Sequence, residues 1–352
     1  MAPTSSPSLI EGPADEYRGY LVVDPPPDPA SRPATFTAPT ADELESLDEL
    51  DGAGTWVLDG DEVALTNLDK VLFAARGEGE AVTKRDLVRY QARIAPYALP
   101  YLADRPVHLH RFPDGADAPG FWNKAVPSSA PAWLGRWDDP DAKPGKTATY
   151  SVLDRPAALA FMANLAALEL HPWTSSIRDP HRPTWALVDL DPGSATTFAD
   201  LVTLAKLHRT AFDHLGVVAM PKVTGKRGIQ IWIPVADGTT FAQTSAWVEQ
   251  ISVAIAATVP DLVSWAWRTE ERGGKARLDF TQNARKQTLV APFSTRPAPG
   301  APVSVPIRWE ELDDPDLRPD RWTITDVLDR LEVDGDPLHP LIGRQQALPP
   351  LR

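Results

Sequence analysis

The apolar pattern along the chain changes period repeatedly, from the alternation of half-buried strands to the three-to-four spacing of helices. WVLDGDEVALTNLDKVLF predicts a hairpin turning at Asp59-Gly60, and VTKRDLVRYQARIAPYALPYL predicts an amphipathic helix capped by Thr83. ALAFMANLAALEL reads as an apolar helix running into His171. TWALVDLDPG reads as a buried strand closed by Pro192-Gly193, and FADLVTLAKLHRTAFDHLG as the helix after it. The strands VVAMPKVTG and IQIWIPV follow, joined by the turn GKRG, and then the helix TSAWVEQISVAIAATV. A basic loop ERGGK, strands ARLDF and TLVAPFS, and a helix in TITDVLDRLEV complete the pattern, with no internal repeat. These elements define a mixed α/β (α+β) domain over residues 56–335, followed by a tail over 336–352. Residues 1–55 read as an acidic, proline-rich arm: DPPPDPASRP is polyproline-like, and ADELESLDELDGAG is a short acidic helix or a disordered patch.

Composition narrows the class of function. The 352 residues contain no cysteine, which excludes disulfide scaffolds, thiolate zinc sites and cysteine nucleophiles and suits a reducing compartment. No apolar run approaches the ~20 residues that span a bilayer, and the N-terminal residues lack the basic and apolar parts of a signal peptide. The expectation is a cytoplasmic, nucleoid-associated protein with no membrane partner. A net charge of -13 argues at first against a polyanion. Residues 1–60, however, hold twelve acids against two bases, whereas Lys222 to Arg296 hold ten bases against six acids. The acidic total conceals a basic site.

Asp189 and Asp191 flank Leu190, so strand alternation puts both carboxylates on one face, about 6–7 Å apart along the chain. Two carboxylates facing one point repel unless a hard cation lies between them, which suits Mg²⁺ or Mn²⁺. Asp279 sits in another alternating segment, and three acids on adjacent strands would make a two-metal site for phosphoryl or nucleotidyl transfer. Taken alone, D-L-D before P-G reads as a strand end with a turn-capping aspartate. Context comes from Lys222-Val-Thr-Gly-Lys-Arg-Gly-Ile-Gln230, where Thr224, Lys226, Arg227 and exposed backbone N–H groups on a tight turn supply what a triphosphate needs. Taken alone, this is a basic hairpin.

In this order, DLD, a [S/T]-G-x-x-G-x-[H/Q] turn and a later L-D-F-x-Q-N segment resemble the motifs of archaeo-eukaryotic primases. The chain resembles above all the polymerase domain of bacterial ligase D and its stand-alone mycobacterial and actinobacterial primase-polymerase relatives, of the Prim-PolC/PolD type. The resemblance runs from about Trp56 to Leu331 and includes LTNLDKVLF, FWNK, ALELHPW, VDLDPG, VTGKRGIQ, RGGKARLDFTQN and APFSTRPAPGAPV. It implies a catalytic core of two mixed β-sheets with an RRM-like half flanked by helices. It also implies that Asp189, Asp191 and Asp279 ligate two Mn²⁺ or Mg²⁺ ions, and that His171, Thr224, Lys226, Gln230, Arg272, Gln282 and Arg296 line the nucleotide site. Phe121 or Trp122 would stack on a base, and Lys70, Lys84 and Lys124 would bind a DNA 5′-phosphate. Otherwise these are core aromatics and surface lysines, and His171 is a structural histidine.

Two departures stand out. Gln230 replaces the family's usual histidine and Thr224 its serine; Gln230 keeps an amide donor for a phosphate oxygen but cannot carry charge. No ligase or phosphoesterase motif accompanies the polymerase motifs. The resemblance therefore implies a template-directed polymerase using NTP or dNTP, filling short gaps or break ends with a ribonucleotide preference, and served by a separate DNA ligase and an end-binding protein such as Ku. Two rival readings remain at this level: an end-bridging or gap-binding repair factor, and a metal-dependent phosphohydrolase.

Overall fold

A computed structural model describes residues 36–266 and 268–351. The proline-rich part of the arm lies outside the described residues. The acidic stretch after it forms a helix, Ala41–Asp48, whose capping box pairs Thr40 with Glu43. Leu47 on this helix is fully buried and belongs to the same core as Trp56, and Phe36 packs against that core too, so the packed fold includes residues ahead of Trp56. Thr83, Thr197 and Thr240 repeat the device at three further helix starts, each box being worth about 1 kcal/mol. The other end is packed as well: Trp247 Nε1 donates to the Pro349 carbonyl, and Gln346 bridges Val218 and Pro234.

Two five-stranded assemblies carry the architecture, and every pairing between their strands is antiparallel. In the first, Trp185–Asp191 lies between Arg277–Asp279 and Ile229–Pro234, followed outward by Met220–Val223 and Val305–Pro306. The helices Phe198–Leu215 and Phe241–Thr258 pack against it. In the second, Pro106–Arg111 pairs with Phe121–Asn123, Thr149–Val152 and Ala167–Pro172, and Gly135–Asp138 pairs with Thr149–Val152. The Asp59-Gly60 hairpin forms as expected, with both turn residues at positive φ.

Three expectations change. The helix predicted from Val82 to Leu102 is two helices, Lys84–Arg93 and Ala95–Leu102, meeting at Ile94. The apolar run ending in ALELH is not one helix: Pro156–Asn164 stops, Ala166 adopts φ 53°, and Ala167–Pro172 pairs as a strand with Pro106–Arg111. His171 is therefore a strand residue. Fully buried helices and strands are both continuously apolar, so periodicity cannot separate them. TLVAPFS, read as a strand, makes only an isolated bridge at Thr288, and Phe293 within it has φ 64°.

Candidate active site

Strand register assembles the first row of the site. Asp189 lies opposite Asp279 on one side and Gln230 on the other, and Gln230 lies opposite Lys222. Directly opposed residues share a sheet face, so Asp279, Asp189, Gln230 and Lys222 form one line across four strands. Arg277, opposite Asp191, is on that face too. Lys222 is fully buried: its Nζ contacts Ser304 Oγ and lies 6.0 Å from the Trp232 ring centre. Neither Lys222 nor Arg277 was assigned a site role from sequence. The alternation of Arg277 with Asp279 was a readable signal, whereas Lys222 needed the register.

The electrostatics follow from the row. Burial, and then the charge of Asp191, push the Asp189 carboxyl well above its usual range, against a hydrogen bond from Gln230 and the charge of Lys222. Burial and Asp279 also push Asp191 up, opposed by Arg272, Arg227 and Arg277. Asp191 stands at an exposed rim, where solvent screening makes its shift the smaller of the two.

Beside the carboxylates stands the basic turn, at the start of the strand that pairs with theirs. The Thr224 N–H donates to the Gly228 carbonyl and the Gly228 N–H donates to Thr224 Oγ1 at 3.0 Å, so the threonine closes the turn. Gly225 has φ 73°, and a Cβ there would meet the Val303 backbone at 2.8 Å. With the ends pinned, Lys226 and Arg227 project outward. A cleft of about 250 Å³ is lined by His171, Asp189, Asp191, Thr224, Lys226, Arg227, Gln230 and Arg296, among others. That volume is below the roughly 300–1,000 Å³ of sites that enclose a whole ligand, so it suits the phosphate end of a nucleotide.

Eight residues singled out from sequence thus meet in one cleft. The rest lie around it. Asp279 does not line it; its carboxylate accepts from Thr281 N and Oγ1 at 2.9 and 2.6 Å, from Gln282 Nε2 at 3.2 Å, and pairs with Arg277 at 3.4 Å. Among the described residues, no three acidic or histidine side chains converge tightly enough to hold one ion. Gln282 consequently serves Asp279. Arg272 acts on Asp191 by its charge, and its Nε donates to the Ala266 carbonyl. Gln230 spends its amide hydrogen bond on Asp189, while its Oε1 is buried without a hydrogen-bond partner; His171 Nε2, 3.6 Å from Glu169 Oε2, makes no hydrogen bond either. Buried polar atoms are rarely left unpaired, and these two line a cleft.

The aromatic pair is exposed, Phe121 at 47% and Trp122 at 49%, which removes the core-aromatic alternative. Trp122 stacks flat on His110, centroids 4.4 Å apart, and meets His171 edge-on at 4.8 Å. The Arg111 guanidinium lies 5.2 Å from the Phe121 ring centre. Among the three lysines, Lys84 is nearly buried at 6% exposure. Burial, then the charges of Lys70 and Arg111, pull its ammonium below the ordinary lysine range. Lys70 is paired with Asp114 at 3.3 Å, and Lys124 exerts its charge on His108. Arg111, not singled out from sequence, joins this cationic cluster.

With this geometry in place, the comparisons are specific. Residues 83–338 match the family model described as LigD, primase-polymerase domain. The chain is 34% identical over 287 residues to the multifunctional non-homologous end joining DNA repair protein LigD of Mycobacterium tuberculosis, covering 79% of this chain and 37% of that protein. It is 29% identical over 289 residues to the bifunctional non-homologous end joining protein LigD of Bacillus subtilis, covering 82% and 45%. The chain thus spans less than half the length of these relatives. The solved structure of the polymerase domain from Mycobacterium tuberculosis ligase D in complex with DNA aligns with a TM-score of 0.73 at 33% identity, covering 81% of this chain and 99% of that one.

Proposed function

Because the chain belongs to the LigD primase-polymerase domain family, we propose that it is a template-directed nucleotidyltransferase that fills short gaps or break ends in DNA. The observation that carries this reading is that Asp189 and Asp191, two repelling carboxylates on one strand face, line a cleft together with the Thr224–Gly228 turn. A nucleotidyltransferase of this family needs a divalent cation, and the donor set fits one: hard oxygens, mutually repelling, whose charge Lys222 and three arginines offset only in part. Asp189 and Asp191 would hold it, with Asp279 on the adjoining position of the sheet. When bound, the cation supplies charge neutralisation at the α-phosphorus and lowers the pKa of the attacking 3′-hydroxyl. Lys226 and Arg227 would bind the triphosphate oxygens, the turn's backbone would orient them, and His171 Nε2 would meet a polar group of the nucleotide. Trp122, with Phe121 beside it, would stack on a base.

Manganese in preference to magnesium, a ribonucleotide preference, and cooperation with a separate ligase and an end-binding protein belong to the same proposal. No described helix is long and apolar enough to cross a membrane. The test is extension of a primer across a 5′-phosphorylated gap with labelled nucleotide and Mn²⁺ or Mg²⁺. Pyrophosphate and a longer primer are expected. Tight gap binding without extension would leave an end-bridging factor, and release of inorganic phosphate a phosphohydrolase.

The cationic cluster makes a separate prediction. Lys84 is held nearly buried beside two like charges, a state that a dianionic phosphate relieves. Lys84→Ala should weaken binding of 5′-phosphorylated gaps by about tenfold or more, and Lys70→Ala by less because Lys70 is half exposed and already paired. Gel-shift titration checks this, and equal losses on 5′-hydroxyl gaps would contradict phosphate recognition.

A further inference from the structure

Glu169 has no part in the chemistry above, yet it sits where the two halves of the site meet. It is buried at 4% exposure in the strand Ala167–Pro172. Its Oε1 accepts Arg296 Nε at 2.6 Å, and its Oε2 lies 2.6 Å from His110 Nδ1. His171 Nε2 stands 3.6 Å from Oε2. Burial pushes this carboxyl up, but His171, the Arg296 guanidinium and the His110 contact outweigh it and keep Glu169 ionised well below the usual carboxylate range.

Each partner leads onward. Arg296 Nη1 donates to the Thr224 carbonyl at 2.7 Å, so the guanidinium spans the carboxylate and the phosphate turn. The His110 ring lies flat against Trp122, 2° from parallel. The backbone that carries Arg296 does not depend on Glu169. Ala291 N donates to the Leu170 carbonyl, Leu170 N donates to Ser294 Oγ at 2.9 Å, and Thr295 Oγ1 donates to the Leu168 carbonyl. Three bonds already fasten residues 291–295 to the strand. What Glu169 adds is side-chain orientation at Arg296 and His110.

We propose that Glu169 is a positioning residue that couples base stacking at Trp122 to phosphate binding at the Thr224–Gly228 turn, through His110 on one side and Arg296 on the other. This rests on the polymerase reading of the cleft. Without the carboxylate, Arg296 is left with the Thr224 carbonyl alone and His110 loses the bond that fixes its ring plane, so a base on Trp122 no longer informs the phosphate turn.

The test is a pair of double-mutant cycles read as nucleotide KM in gap extension. Glu169→Ala and Arg296→Ala should each raise KM about tenfold, the cost of one charge-assisted hydrogen bond, and the double variant should be no worse than the worse single one. Trp122→Ala should raise KM in the wild-type background and change it less than about twofold in the Glu169→Ala background. Glu169→Gln, which keeps the shape and one acceptor oxygen, should fall between wild type and Glu169→Ala. If Glu169→Ala fails to fold by circular dichroism, Glu169→Gln carries both cycles. Multiplying losses in both cycles, or a lower Tm with unchanged KM, would overturn the coupling. Should wild type not extend primers, the polymerase reading fails by itself, and displacement of a fluorescent nucleoside triphosphate run through the same cycles still decides the role of Glu169.

Discussion

Asp189→Asn is expected to lower the extension rate by on the order of 10³-fold or more, about 4 kcal/mol of transition-state stabilisation, and at the same time to raise the Tm of the metal-free protein. The two effects share one cause. Asp189 is 7% exposed with Asp279 directly opposite and Asp191 two residues on. Gln230 and Lys222 offset only part of that crowding. An amide keeps the shape and removes one of three like charges, a relief of about 1 kcal/mol, or a few degrees in Tm for a chain of this size. Divalent cation should close the difference from the other side, since binding to the folded state alone stabilises by RT ln(1 + [L]/Kd). Adding Mn²⁺ should therefore raise the Tm of wild type and leave that of Asp189→Asn nearly unchanged. Melting curves with Mn²⁺ and with EDTA, beside the extension assay, check both halves. A variant that extends primers, or that melts below metal-free wild type, would show that the row is not an electrostatically strained cation site.

Gly193→Ala tests how the two carboxylate strands are held together. A Cβ at Gly193 would lie 2.2 Å from both the Gly274 and Lys275 carbonyl oxygens, a contact that no side-chain rotation relieves. The close approach is fastened on both sides: Gly193 N donates to Thr196 Oγ1 at 3.0 Å, and Ala195 N and Thr196 Oγ1 both donate to the Gly274 carbonyl. An added methyl must push residues 273–275 away, and Arg277 and Asp279 follow in the same strand. The expected cost is about 1–3 kcal/mol of stability, with extension reduced by about tenfold or more because Asp279 leaves its register with Asp189. Wild-type Tm and rate together would show that this packing is slack.

How much was legible depended on sequence separation. The DLD alternation, the turn around Gly225 and the Thr83 cap are local patterns, and they formed where the residues indicated. Reading His171 as a helix end failed because the run before it is apolar throughout, and a strand buried on both faces looks like a buried helix. Gln230 could be read as a phosphate donor from its amide alone. Its cross-strand position opposite Asp189 gives that amide a carboxylate partner.

From sequence alone came the chemistry of the groups: three aspartates, a basic turn, an aromatic pair in FWNK and a basic stretch masked by acidic residues elsewhere. Those follow from residue type and short-range periodicity. Tertiary structure alone decided which groups share a face and which are already engaged. Asp279 is held by Thr281 and Gln282, Arg296 is divided between Glu169 and the Thr224 carbonyl, Arg111 lies beside Lys84, and Lys222 completes the row behind Asp189. The physical reason is that a residue's chemistry is intrinsic, whereas its protonation, partners and reach are set by neighbours brought from far along the chain, 127 positions for Glu169 and Arg296.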